Sequence, residues 1–376
     1  MRRFLKKVLY AALMAMLLCP GARALQTSGT YDDFSAACRD VRAAMYSRQT
    51  HVAFSLTPTA VAGRSTDVLR DILTDVLESC VDYTIAFDTQ GDLLHVTIDG
   101  TLRPAVNILH AWETGDRSFL TEDENRVMEI ALEIAENCRR GAKNAIEIER
   151  RVYDEVCRLV DYNRNEPAPK FGSSEYIRRH TSVGALLDGA TQCLGYSEVF
   201  YLIGRLAGLN VEMQYGFPGG GIGGKHAWNI VTVGAQRYMV DVCWGDTSAD
   251  IFERTTPDYR NFNVAKDLMP KDRYAHPEAD IALISEMTDM QHSAFAAGNG
   301  GVRVKSLEEA IAYALEQHRA GQPYAHALIE DKDIRLEDID SAMWARVKEE
   351  GITTTWGRMP YSFAGGTYVI FRWVLK

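Results

Sequence analysis

The chain has 376 residues, 46% of them hydrophobic and 24% charged, and a formal charge of −10. That length exceeds one ordinary domain, and that apolar content supplies a core throughout, which excludes a disordered chain. Residues 1–24 hold five basic and no acidic side chains, so the rest stands at −15, and an acidic body argues against nucleic acid or anionic membrane as partner.

The first 24 residues have the layout of a secretory signal. Arg2, Arg3, Lys6 and Lys7 precede an apolar run from Val8 to Leu18, too short to span a bilayer. Pro20-Gly21 break the run, and cleavage is expected after Ala24. Bulky Leu18 before Cys19 argues against a lipoprotein site. The mature protein is therefore expected outside the cytoplasm, secreted, periplasmic or on the cell surface.

Apolar spacing through Phe34, Cys38, Val41 and Met45 predicts a helix over 31–48. Strand 51–57, helix 65–80 capped by Ser65, and a hairpin from 81 to 99 follow. Residues 104–112 read as another strand or an extended lead-out, and Thr121 with Glu124 forms a capping box for a helix over 121–138. His95 and His110 fall in strand-like segments and read as packing residues.

Residues 191–209, TQCLGYSEVFYLIGRLAGL, read as a helix with Cys193 in its first turn. Tyr196, Val199, Phe200, Ile203 and Leu206 share one face, and Gly208 sits where a left-handed end belongs. The N-terminal end of a helix offers partial positive charge and free amides, which favour a thiolate and can hold an oxyanion. Two strand-like segments follow, KHAWNIVTV (225–233) and RYMVDVCWGD (237–246), joined by a turn at Gly234-Ala235. His226 opens the first and Asp241 lies in the second. Pairing across such a turn sets an imidazole beside a carboxylate, which fixes the ring tautomer and leaves the other nitrogen for a thiol. Cysteine, histidine and aspartate in that order make a nucleophile, a base and an orienter.

These segments resemble the transglutaminase-like superfamily of papain-type thiol enzymes, and its secreted bacterial members most. The likeness runs over roughly residues 145–275. It rests on VYDEVCRLVDYN (152–163), SVGALLDGATQCLGYSEVF (182–200), HAWN (226–229), VDVCWGD (240–246) and RNFNVAKDLMPKD (260–272). The resemblance implies a catalytic triad of Cys193, His226 and Asp241. Gln192 stands where the family has a small apolar residue, Leu194 where a polar one is common, and Cys243 where threonine is common.

Around that triad, Gln192 is a candidate second oxyanion donor beside the Cys193 amide, and Trp244 reads as structural core, with a cleft wall as its alternative role. Asp246 is an alternative orienter to Asp241. Tyr196 and Trp228 read as core, and His180, just before the Cys helix, as a surface residue, with a place near the site as its alternative. Cys243 shares a strand face with Asp241 and reads as a packed side chain. Cys38, Cys80, Cys138 and Cys157 fall in helix-like segments and read as buried thiols. No CxxC pair and no HExxH occurs, so no metal or organic cofactor is called for. The loop FPGGGIGG (217–224) contains GxGxxG, but a strand follows where a dinucleotide site needs a helix. It reads instead as a gating loop or a simple connection.

The turn-rich AAGNGG (296–301) marks a linker, and the C-terminal part then repeats the opening order: helix 306–320, strand 324–330, helix 336–350, strand 352–357, strand 366–375. Element starts in the two halves lie 271 to 275 positions apart, the signature of a duplicated module.

The expected fold is α+β: a papain/transglutaminase-like core, its Cys helix packed on an antiparallel sheet, flanked by two small α/β modules. Expected boundaries are 1–24 signal peptide, 25–138 N-terminal module, 139–275 catalytic core, 276–303 linker and 304–376 C-terminal module. The expected function is acyl transfer through a cysteine thioester on peptide amide bonds, as a peptidase or amidase acting on a peptide or protein. A protein-cross-linking transglutaminase, and an inactive binding or adhesion protein with a vestigial triad, are the alternatives.

Overall fold

The computed structural model describes residues 29–163, 169–218, 225–246, 257–264, 273–274, 301–322, 324–331, 334–363 and 366–373. The signal-like residues 1–24, the glycine loop from 219 and most of the linker lie outside the described residues. The described chain forms two compact units, one holding residues 29–128 with 169–174, the other running from Glu129 onward without 169–174.

In the first unit, β1 (Thr30–Tyr31), α1 (Phe34–Tyr46), β2 (His51–Leu56), α2 (Thr66–Asp75), β3 (Cys80–Gln90) and β4 (Leu93–Leu102) build a four-stranded sheet in the order β1-β2-β4-β3. The Asp33 and Ser65 side chains cap α1 and α2, each accepting from a first-turn amide. Val52, Phe54 and Leu56 alternate inward on β2 and meet Phe34, Val41 and Met45 of α1. Residues 104–112 are not a strand. They belong to α3 (Pro104–Thr114), which starts with proline at its first position and ends on left-handed Gly115. Burial on most sides makes this helix nearly continuously apolar, which hides its period.

α4 (Glu122–Arg139) carries the expected capping box, with the Thr121 backbone amide donating to Glu124 Oε2 at 2.8 Å and the Glu124 amide to Thr121 Oγ1 at 3.2 Å. α5 (Ala145–Leu159) buries a face of Val152, Tyr153, Val156 and Cys157. Next come β5 (Asp161–Tyr162), α6 (Ser174–His180), α7 (Ser182–Leu187), β6 (Ala190–Thr191) and α8 (Cys193–Leu206). β7 (Asn210–Pro218), β8 (His226–Val233) and β9 (Gln236–Val240) form an antiparallel sheet with the short β10 (Arg273–Tyr274) at its edge. α8 packs on β7 and β8, with α5 and α7 against it. This is the α+β core with a cysteine helix lying on an antiparallel sheet.

After Val240 the strand stops. Asp241 caps a single helical turn, α9 (Val242–Gly245), so Cys243 and Trp244 lie on that turn and not on a strand. A 3-10 turn at Tyr259–Asn261 leads to Val264, whose backbone pairs with Met239.

The last elements are β11 (Gly301–Val304), α10 (Leu307–Arg319), β12 (Tyr324–Ile329), α11 (Leu336–Glu349), β13 (Trp356–Phe363) and β14 (Gly366–Trp373), in the order β11-β12-β14-β13. In both sheets a leading strand pairs parallel with the next and the other pairings are antiparallel. The register also matches: Tyr324 faces Arg372 as His51 faces Asp99, and Gly357 faces Arg372 as Thr84 faces Asp99. Sequence periodicity does not reveal β1 and β11, because two to four residues are too few to show alternation.

Candidate active site

Cys193 opens α8. Its neighbour Gln192 is the N-cap, extended at φ −108° and ψ −176°, with no side chain closing the first-turn amides. The helix can sit this close to β6 because residue 195 is glycine. A Cβ there would lie 1.9 Å from Thr191 Oγ1, which no side chain tolerates. The Thr191 hydroxyl donates to the Arg179 carbonyl at 2.7 Å, so the approach is pinned from both ends.

His226 opens β8 and is buried. Its Nε2 donates to Asp241 Oδ2 at 2.8 Å, which leaves Nδ1 outside that bond, and Cys193 lies near enough to act on the ring. Burial works against the charged imidazole. The Asp241 charge and hydrogen bond, with Cys193, outweigh it and hold the His226 pKa up at about 9. Asp241 is wholly buried and well engaged: Oδ1 accepts from the Trp244 amide at 3.0 Å, and its own amide donates to the Asn261 carbonyl at 2.9 Å. The three side chains named from sequence thus meet in one place.

Trp244 stands beside them, its ring 5.1 Å from that of His226 and 37% exposed, so it walls the site without sealing it. Trp228 lies behind His226 at 6.1 Å and is core. Asp246 accepts instead from the Tyr196 hydroxyl, which is buried and also 2.7 Å from the Val160 carbonyl, so Asp241 and not Asp246 bonds the imidazole. Cys243 is buried, and its thiol is pushed well up by burial and by the Cys193 and Asp241 charges, so it stays protonated. All six described cysteines are free thiols, Cys193 among them.

His180 is not a surface residue. It is buried, stacks on Tyr176 at 4.2 Å, and places Nε2 2.8 Å from Gln192 Oε1. Gln192 Nε2 donates weakly to the Asn163 carbonyl at 3.5 Å. The Gln192 amide is therefore held by its neighbours rather than loose beside Cys193. Sequence pattern could not link His180 to Gln192, since a helix, a turn and a strand stand between them. Tyr153 is a second residue of the site to which the pattern assigns no role. Its hydroxyl donates to the Asp258 carbonyl at 2.7 Å and lies 3.4 Å from the Asp241 carbonyl, tight enough that Gly245 admits no Cβ, which would meet that hydroxyl at 1.7 Å. Among the described residues no cluster of His, Cys, Asp or Glu has the geometry of a metal site.

A cysteine at a helix start, an imidazole on the facing strand and a buried carboxylate behind it are the side chains that papain-type thiol chemistry uses. Residues 132–241, which hold all three side chains, match the model of the Transglutaminase-like superfamily. No curated protein matches the chain. Among solved structures, a TGase matches at 10% identity and TM-score 0.29 over 50% of each chain. A provisionally named cysteine protease from Cytophaga hutchinsonii matches at 10% identity and TM-score 0.26, over 44% of this chain and 65% of that one. A provisionally named protease from Parabacteroides distasonis matches at 7% identity and TM-score 0.24, over 86% of this chain and 65% of that one. The chain thus spans half the length of the TGase and about two thirds of the other two.

Proposed function

We propose that the protein is a thiol hydrolase that cleaves amide bonds in peptide or protein substrates. The observation that carries this reading is the His226–Asp241 bond, with Cys193 near enough to act on the same ring. The imidazole, held protonated well above its ordinary value, offsets negative charge that develops on a sulfur beside it. The thiolate attacks the carbonyl carbon, a C–S bond forms, and the oxyanion rests on the first-turn amides of α8. The C–N bond then breaks as His226 gives its proton to the leaving amine. Water attacks the thioester, His226 takes up a proton, and the acid leaves with Cys193 restored.

A primary amine in place of water would make the same site a transglutaminase. The partly exposed Trp244 ring leaves water a path to the thioester, which favours hydrolysis. The signal-like N-terminus supports export, and with it a substrate among peptides outside the cytoplasm. Among the described residues no helix is long and apolar enough to cross a membrane.

The test has two arms. Iodoacetamide should label Cys193 at neutral pH, and His226→Ala should slow that labelling at least tenfold. An inert Cys193 in folded protein would leave only a binding role. A glutamine peptide incubated with a labelled amine should release ammonia or fragments in excess of incorporated amine; predominant incorporation would establish the transglutaminase instead.

A further inference from the structure

The 3-10 turn at Tyr259–Asn261 has the catalytic site on one side and the C-terminal sheet on the other. Towards the site, the Asn261 carbonyl takes the Asp241 amide at 2.9 Å, the Asp258 amide donates to the Gly245 carbonyl at 2.8 Å, and Val264 exchanges two backbone bonds with Met239. The Asp241 backbone is thus tied to this turn, to α9 and to Tyr153. Towards the sheet, the Tyr259 amide donates to the Tyr368 hydroxyl of β14 at 3.0 Å. That hydroxyl is also 2.6 Å from His326 Nδ1 on β12.

The contact is wholly buried. Tyr259, His326 and Tyr368 are all inaccessible to solvent. His326 lies edge-on to the Tyr259 ring at 4.7 Å and parallel to Tyr368 at 6.0 Å. On the other side of Tyr259, its hydroxyl donates to Asp154 of α5, and Arg150 lies over its ring at 5.1 Å. Burial keeps His326 neutral, with the Arg150 charge adding to the effect. A neutral imidazole accepts at Nδ1 from the Tyr368 hydroxyl, which frees the hydroxyl's lone pairs for the Tyr259 amide. Nε2 of His326 then has no hydrogen-bond partner among the described residues. A buried polar group left unsatisfied costs stability. Leucine or phenylalanine would avoid that cost at this position, so the site tolerates it for the sake of the Tyr368 bond.

We propose that Tyr368, oriented by His326, is a positioning residue for Asp241, so that the C-terminal module is a working part of the active site. The chain of contact runs from Tyr368 through the Tyr259 amide and the Asn261 carbonyl to the Asp241 backbone. It sets where the carboxylate meets His226. This rests on the thiol-enzyme reading of Cys193, His226 and Asp241. The groups that face the titrating pair are Cys193 from α8, Asp241, Cys243 and Trp244 from α9 and its cap, and Trp228 from β8.

The experiment is the pH profile of iodoacetamide alkylation of Cys193 in the full-length protein, with Cys193→Ala as background. It needs no substrate. Wild type should show a plateau through neutral pH, the mark of an imidazolium beside a thiolate. Tyr368→Phe keeps the ring and removes the acceptor. Its plateau should fall three- to tenfold, with reactivity returning only towards alkaline pH. His326→Phe leaves the Tyr368 hydroxyl in place and should lower the plateau by a smaller factor; it decides the question if Tyr368→Phe does not fold. Trp344→Ala, on the exposed face of α11, should leave the profile unchanged. A wild-type profile with no neutral plateau would sink the thiol-enzyme reading itself. A wild-type plateau that both variants reproduce, whatever their melting temperatures, would overturn the role of Tyr368 alone.

Discussion

At the scale of single residues, Asp241 and Glu149 show two fates for a buried carboxylate. Asp241 has a cation to hold, so its charge is retained and works on His226. Asp241→Asn should keep the helical turn of α9 capped but lose the imidazolium, and Cys193 alkylation at pH 7 should drop by at least tenfold. Among the described residues Glu149 on α5 has only the Asn263 amide, at 2.9 Å, and burial pushes its pKa up to about 8. Its folded value is above its unfolded one, so the native state binds the extra proton between about 4.5 and 8. The neutral group therefore fits the core at low pH, and stability falls as pH rises through that window by up to roughly 1.4 kcal/mol per pH unit. Glu149→Gln should remove the slope. Its melting temperature should match wild type at pH 5 and exceed it at pH 8, as followed by circular dichroism. Cys193 and His226 are legible in the chain because each opens an element with its own local signal, whereas composition puts Asp241 inside a strand, where only the family resemblance singles it out. The His180–Gln192 bond and the Tyr153 anchor are not, because a contact between residues on different elements leaves no trace in local spacing.

At the scale of elements, the legible parts are those with a clean period or cap. The Cys193 helix, the turn at Gly234 and the Thr121 capping box fall where their patterns put them. α3 does not, since a helix buried nearly all round loses the apolar stripe that distinguishes it from a strand. Proline at its first position is the surviving clue. Composition alone extends the strand past Val240, because Val-Cys-Trp has strand character while Asp241 serves at once as orienter and as helix cap. Close packing of α8 on β6 gives a direct check. Gly195→Ala forces a methyl into Thr191, and should cost about 1–3 kcal/mol in urea unfolding. Thr191→Ala in the same background should recover part of that loss, because the clash is with the Thr191 side chain.

At the scale of the whole molecule, the two sheets share order, direction and register, yet present different outer faces. On β12 and β14 that face carries Tyr324, His326, Leu328, Tyr368 and Ile370, mostly buried. On β2 and β4 the matching positions are His51, Ala53, Ser55, His95 and Thr97, none of them buried. There His51 pairs with Asp99 at 2.7 Å and Ser55 with His95 at 2.9 Å. The helix-facing positions are apolar in both. One scaffold thus serves twice, and only alternate residues say what its free face meets. Since that face of the C-terminal sheet packs on Tyr259, a chain ended before Gly301 should lose its cooperative melting transition and aggregate on size exclusion.

Two look-alike sheets on one polypeptide also create a hazard while the chain is still finding its shape. A strand from one half has the length and hydrogen-bond phase to enter the other, and its inward side chains would be accepted there. What rejects the intruder is the outward row: β12 placed in the β2 slot would strand Tyr324 and Leu328 in water, and β2 in the β12 slot would bury the histidine and serine of a polar ladder against rings. Those rows act as labels that sort the strands, and erasing them on one module should show up first as trapped, slowly correcting species during refolding rather than as a weaker native state.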